Sequence, residues 1–288
     1  MEYILELEQV SKAFPKSDFA LDQVSFSLPY GSIMGFVGEN GAGKTTTLGC
    51  ILNTLAKDSG TIRLFGKEMS DSDTKIREKI GIVYDGDNFP GYLSAEQLGG
   101  IMEGLYQNWD CALFQKYLQD FRLPPGQRIK NYSRGMTMQL AISAALCHHP
   151  QLLVLDEASG GLDPIMRDEM LDVFLDFVQE ENHSILFSSH ITSDLEKIAD
   201  YVTFIHRGKV ILTASKNDLT YSYAVMRCRE SQFSSLDQED IVAFRKMDFQ
   251  TDVLVRDQKA AAKKYKDAVI DHVSLDEIML LLVKGERV

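Results

Sequence analysis

The hydrophobic pattern of this chain changes period several times, and each change marks an element. Residues 3–9 and 24–28 alternate apolar and polar side chains, the period-two pattern of half-buried strands, and Thr61 to Phe65 repeats it. Ile33-Met34-Gly35-Phe36-Val37 is a continuous apolar run and predicts a buried strand, with a helix following over Lys44 to Leu55. From Ser94 the spacing becomes helical. Ser94 and Gln97 form a capping box, and Asp110 caps a second helix through Phe121. Pro124-Pro125-Gly126 breaks the pattern, and a third helix follows Ser133, so roughly 90–148 reads as a helical insertion. Strand character returns at Leu152–Leu155. Pro164 opens a helix whose apolar face carries Met166, Met170, Val173, Phe174, Phe177 and Val178, a stripe that reads as core. Ile185–Phe187 is another buried strand, and Ser193 with Glu196 predicts a cap for the next helix. Tyr201–Ile205 and Lys209–Thr213 flank Arg207-Gly208 as a hairpin. Beyond about residue 216, strand-like Tyr223–Cys228 and Asp252–Val255 precede a last helix opened by Ser274 and Glu277. This tail is small for an independent core, and docking on the main unit or on a partner would complete it.

Chemistry enters at residues 38–46, Gly-Glu-Asn-Gly-Ala-Gly-Lys-Thr-Thr. They match G-x-x-x-x-G-K-[ST] at Gly38, Gly43, Lys44 and Thr45, between a strand and a helix as the motif requires. Glycines let backbone N–H groups converge on an anion, and the helix N-terminus adds a fixed positive potential. Lys44 adds a mobile charge, and the Thr45 hydroxyl suits magnesium beside the phosphates; Asn40, Gly41 and Thr46 complete the cradle. The segment predicts binding of a nucleoside triphosphate. Downstream, the apolar run Leu152-Leu153-Val154-Leu155 ends in Asp156-Glu157. A buried parallel strand delivers Asp156 to the crevice where α/β sheets bind ligands, placed to hold magnesium, with Glu157 free to orient an attacking water.

Charge narrows the partners. Of the 288 residues, 30 are Lys or Arg and 42 Asp or Glu, a net charge of −12, which argues against a broad nucleic-acid footprint. Lys263-Lys264-Tyr265-Lys266 reads as a solvated helix face. No apolar run reaches the ~18 residues needed to span a bilayer, so a membrane role is expected to come through a partner chain. The acidic start does not read as a signal peptide. Cys50, Cys111, Cys147 and Cys228 are widely spaced and predict free thiols in a reducing cytosol. His148-His149 reads as a helix-to-strand junction rather than a metal site.

Tyr132-Ser133-Arg134-Gly135-Met136 resembles the L-S-G-G-Q signature of ATP-binding-cassette ATPases. Ser159-Gly160-Gly161-Leu162-Asp163-Pro164 resembles their D-loop, His190 their switch histidine, and Phe14 the aromatic that stacks on adenine. These motifs cover residues 1 to about 215 in the family's order. The resemblance implies an α/β fold of the P-loop NTPase type. It would comprise a mainly parallel sheet, an N-terminal antiparallel β subdomain and the helical insertion within 1–216, then a small α+β domain over 217–288. It implies ATP and magnesium as cofactors, with Lys44, Glu157 and His190 catalytic and Thr45 and Asp156 on the metal. It also implies a head-to-tail pairing with a second copy or paralogue, in which each ATP meets one chain's phosphate loop and the other's Ser133, Gly135 and Asp163. The signature, Tyr-Gln-Asn-Trp-Asp at 106–110 and the terminal helix are similar to ATPase subunits of bacterial type-2 exporters. Those work at the cytoplasmic face on separately encoded membrane subunits. A soluble ATPase of the same family, serving assembly or repair, is the alternative.

Three positions depart from the family pattern. Asp85, with Asp87 as the other register, stands where a glutamine is usual and is expected beside the metal. Arg134 replaces a signature glycine, and Ala158 replaces a proline.

Overall fold

The computed structural model describes residues 2–15, 18–70 and 73–286. Its centre is a six-stranded sheet in the order Lys209–Ser215, Tyr201–His206, Ile33–Val37, Ser184–Ser189, Leu152–Asp156, Ile80–Val83. All neighbours pair parallel except Lys209–Ser215, which returns antiparallel as the second arm of the expected hairpin. Ile33–Val37 and Leu152–Asp156 are buried at every position. Their alternate side chains face opposite ways, so Ile33, Val37, Leu153 and Leu155 join one core, while Met34, Phe36, Leu152 and Val154 join another. The second core lies against an antiparallel N-terminal sheet of Ala20–Pro29, Tyr3–Ala13, Ser59–Leu64 and Lys67–Glu68.

The insertion holds three α-helices, Ala95–Leu105, Cys111–Asp120 and Arg134–Leu146. Ser94 and Gln97 make the capping box and Asp110 accepts from Leu113 N–H, as the sequence predicts. Leu98, Phe114, Leu118, Ile129, Leu140 and Cys147 form the insertion's own core. His148 anchors the insertion to the central sheet. Its ring stacks on Tyr106 at 4.2 Å, and its Nε2 lies 3.1 Å from the Ile80 carbonyl. Asp110 N–H donates to the Cys147 carbonyl at 2.7 Å, so the Tyr106–Asp110 stretch is pinned to the same junction.

Two sequence expectations require correction. The helix after the glycine loop is Lys44–Ile51, shorter than Lys44–Leu55. Asn53 takes a left-handed φ of +55°, and the Thr54 and Leu55 N–H groups both return to the Gly49 carbonyl, which closes the helix. Ser193 does not cap the next helix, which is Thr192–Ile198 with Ile191 at the cap position and no side-chain acceptor there. Glu196 instead accepts from Leu275 N–H at 2.8 Å, a partner remote in sequence.

The last region is a four-stranded antiparallel sheet in the order Ile241–Lys246, Thr251–Val255, Ala224–Cys228, Val269–His272. Its outer strands escape the sequence reading because both sit on sheet edges, and Val269–His272 is largely exposed. The helix Leu275–Lys284, opened by the Ser274–Glu277 capping box, joins the main core through Leu275, Ile278, Leu281 and Leu282. The lysine cluster is only partly a solvated face: Lys264 pairs with Asp237 and Asp240, and Tyr265 Oη donates to Asp240 at 2.6 Å. Among the described residues no helix is long and apolar enough to cross a membrane.

Candidate functional site

Parallel register brings the chemistry to one edge of the central sheet. Val37 pairs with Ser189, and Asp156 with Ser188. The glycine loop, the Asp156-Glu157 pair and His190 therefore leave neighbouring strands at their C-terminal ends, where open α/β sheets bind ligands. Gly43 enters the following helix at φ +113°, and a Cβ there would meet Leu21 Cδ2 at 2.8 Å. Glycine alone satisfies both the backbone and the space.

Lys44 is only 6% exposed. Its ammonium donates to the carbonyls of Gly38 at 2.7 Å and Glu39 at 3.3 Å, and lies 3.0 Å from Glu157 Oε1. Glu157 Oε2 in turn receives His190, through Nδ1 at 2.5 Å and the backbone N–H at 3.3 Å. Glu157 holds this bridging place from a left-handed backbone, φ +52°, costly for a non-glycine residue and typical of functional positions. Its N–H is anchored on the Ser188 carbonyl at 3.0 Å.

Asp156 faces a different set. Thr45 Oγ donates to Oδ2 at 2.9 Å, and Ser188 Oγ donates to Oδ1 at 2.6 Å. A hydroxyl and a carboxylate side by side are hard oxygen donors of the kind magnesium takes, so the set fits that ion. Burial pushes the Tyr84 hydroxyl above its ordinary value, with the Asp156 charge adding to the shift. Ser188 and Tyr84 are not candidates from sequence. Ser188 lies two residues before His190 on an all-buried strand, a weak signal. Glu39 lies at a variable position of the glycine motif, and its pairing with His206 at 2.9 Å is not announced there.

The other candidates lie around this centre. Asn40 and Gly41 are exposed on the loop, Thr45 is exposed and Thr46 half-buried. Phe14 is half-buried, its ring 6.3 Å from Phe19, whose own ring edge is 3.0 Å from where a Gly43 Cβ would sit. Ser133 caps the Arg134–Leu146 helix by accepting from Met136 N–H at 3.2 Å, and Asp163 caps Pro164–Phe177 by accepting from Ile165 and Met166. These two helix starts touch, since a Cβ on Gly135 would meet Met166 Cε at 2.4 Å. Among the described residues, no hydrogen bond or ion pair joins Ser133, Gly135 or Asp163 to the glycine loop of the same chain.

Asp85 is placed differently from its sequence expectation. Its carboxylate pairs with Arg134 at 2.9 Å rather than with Thr45 or Asp156. The cause is the other departure, since Arg134 brings a cation to a 620 Å³ groove that it lines together with Asp85, Asp87, Lys130 and Tyr132. Arg134 also lies across the D-loop-like turn. Gly161, at φ +73°, would place a Cβ 2.8 Å from the guanidinium.

The chain is similar to known proteins in both sequence and fold. Residues 21–160 match the family described as ABC transporter. The bacitracin transport ATP-binding protein BcrA of Enterococcus faecalis is 31% identical over 221 residues, 76% of this chain and 71% of that protein. The linearmycin resistance ATP-binding protein LnrL of Bacillus subtilis is 30% identical over 259 residues, 88% of this chain and 83% of that one. Among solved structures, an ATP-binding subunit of an ABC transporter superposes with a TM-score of 0.68 at 24% identity, covering 75% of this chain and 91% of that chain. The ADP- and Pi-bound dimer of an ATP-binding cassette gives 0.65 at 17% identity, covering 74% and 98%.

Proposed function

This chain belongs to the ABC transporter family as an ATP-binding, ATP-hydrolysing subunit, and from that premise we propose that it powers export through separately encoded membrane subunits at the cytoplasmic face of the membrane. The observation that carries the reading is the relay Lys44–Glu157–His190 beside the Thr45–Asp156 pair, with all five side chains at one sheet edge. In this reading the glycine-loop N–H groups and Lys44 bind the β- and γ-phosphates, and Lys44 gives up Glu157 as they arrive. Thr45 and Asp156 hold magnesium, which when bound neutralises charge on the phosphate oxygens. Glu157 polarises the attacking water, and His190 keeps its carboxylate aimed. Phe14 supports the adenine.

The placement of Ser133 and Gly135 supports pairing with a second copy or paralogue. They open a helix whose N-terminus suits an anion. They make no hydrogen bond or ion pair to the chain's own glycine loop among the described residues, and a γ-phosphate brought by another subunit would complete the site. The relatives' names support a transport role, BcrA being named for bacitracin transport and LnrL for linearmycin resistance. Co-expression with a polytopic membrane protein encoded beside it, followed by purification in detergent, tests the reading. A stable complex whose ATPase activity Lys44→Ala abolishes is expected. A chain that stays unassociated while hydrolysing ATP at full rate would favour the soluble assembly or repair ATPase.

A further inference from the structure

The turn carrying His190 runs directly into the Thr192–Ile198 helix, which lacks a cap of its own because Ile191 offers no side-chain acceptor. The C-terminal region supplies contacts at that end. Thr192 Oγ donates to Asp276 Oδ1 at 2.6 Å across 84 residues of chain. Four residues on, Glu196 Oε1 accepts the Leu275 N–H at 2.8 Å, one of the unpaired donors at the start of the Leu275–Lys284 helix. Thr192 and Glu196, one turn apart on the first helix, thus both meet the N-terminal turn of the second. Beneath these contacts, Leu195 and Ile198 pack with Leu275, Ile278 and Leu282 in one core.

The anchor is itself held. Asp276 sits in the first turn of its helix, where the helix dipole favours a carboxylate. Next to it Glu277 closes the capping box with Ser274 and pairs with Arg227 of the C-terminal sheet at 3.1 Å. Thr192 is 3% exposed, so its hydroxyl has little access to water as a substitute partner. Two residues earlier, His190 must keep Nδ1 at 2.5 Å and its N–H at 3.3 Å from Glu157 Oε2. Displacements of an ångström in such a constellation cost large factors in rate.

We propose that Asp276 is a positioning residue for ATP hydrolysis: by holding Thr192 it fixes the His190–Ile191 turn, and the C-terminal domain thereby sets the turnover rate of the site. The proposal rests on the reading of Glu157 and His190 given above.

Steady-state ATPase assays on the full chain test it. Thr192→Val removes the hydroxyl at nearly constant shape, and kcat is expected to fall about five- to tenfold, with KM for ATP moving less than about twofold. Thr192→Ser and Asp276→Asn keep the donor and the acceptor and should return kcat to within about twofold of the native value. His190→Ala, run in parallel, separates the two claims. If it lowers kcat while Thr192→Val does not, the positioning role of Asp276 is overturned and the site reading stands. If His190→Ala leaves kcat unchanged, the reading of His190 fails and the positioning role goes with it. A loss in Thr192→Val that Thr192→Ser does not restore, or that tracks a loss of folded protein by circular dichroism, also overturns the proposal.

Discussion

Asp85 and Arg134 form an ion pair of 2.9 Å across 49 residues, so two departures from the family pattern satisfy each other. The pair ties the turn after the Ile80–Val83 strand to the start of the Arg134–Leu146 helix, and the guanidinium also rests on Gly161. Because both side chains are about half exposed, 57% and 49%, the pair itself contributes little to stability, within the ~0–1 kcal/mol of surface ion pairs. Its consequence is geometric: it holds the Asp85 carboxylate on Arg134, while Thr45 and Ser188 are the partners of Asp156.

Asp85→Gln is therefore expected to leave ATP affinity in the presence of magnesium within about twofold of native, since a hydrogen bond to Arg134 is retained. Hydrolysis should be equal or faster. Titration with a fluorescent ATP analogue, with and without magnesium, checks this. A loss of affinity confined to the magnesium arm would place Asp85 on the metal after all.

Glu157→Gln keeps the size and an acceptor for His190 but removes the charge that polarises water. ATP should still bind, and turnover should drop by about 100-fold or more. The accumulated ATP-bound form should run as a dimer on size exclusion. Unchanged hydrolysis would move the catalytic role to another group, with His190 the first to examine.

Ser188→Ala removes the donor to Asp156 Oδ1, leaving a buried carboxylate oxygen without its 2.6 Å partner. Loss of such an outer partner lowers metal affinity about 10- to 100-fold. The magnesium concentration for half-maximal ATPase activity should rise accordingly, with binding of ATP in excess EDTA unchanged. Equal effects in both arms would mean that Ser188 shapes the phosphate loop rather than the metal corner.

Burial holds the His148 imidazole below its ordinary value of 6.5, the hydrogen bond to Ile80 opposing only in part. As pH falls through the unfolded value, the unfolded chain takes up a proton that the native His148 refuses, so stability falls with pH in that window. His148→Gln retains a donor toward Ile80 without titrating. Urea midpoints measured between pH 7 and pH 5 should slope less steeply in this variant than in the native protein. Identical slopes would remove His148 from the acid sensitivity of the junction.

What the sequence determined by itself is local. The Gly38–Thr46 loop, the Asp156-Glu157 strand end and the caps at Ser94, Asp110 and Ser274 are each written within a few consecutive residues, where backbone conformation and period suffice to read them. Resemblance to the family extended that reading to Phe14, Ser133 and His190. Tertiary structure decided which side chains meet across the fold. Strand order placed Ser188 beside Asp156, helix packing gave Asp276 to Thr192 and Glu196 to Leu275, and the approach of the insertion to the sheet gave Arg134 to Asp85. These partners lie 32 to 84 residues apart. Periodicity records which face of an element is buried, but a carboxylate's partner depends on the sheet register and helix packing that bring distant segments together.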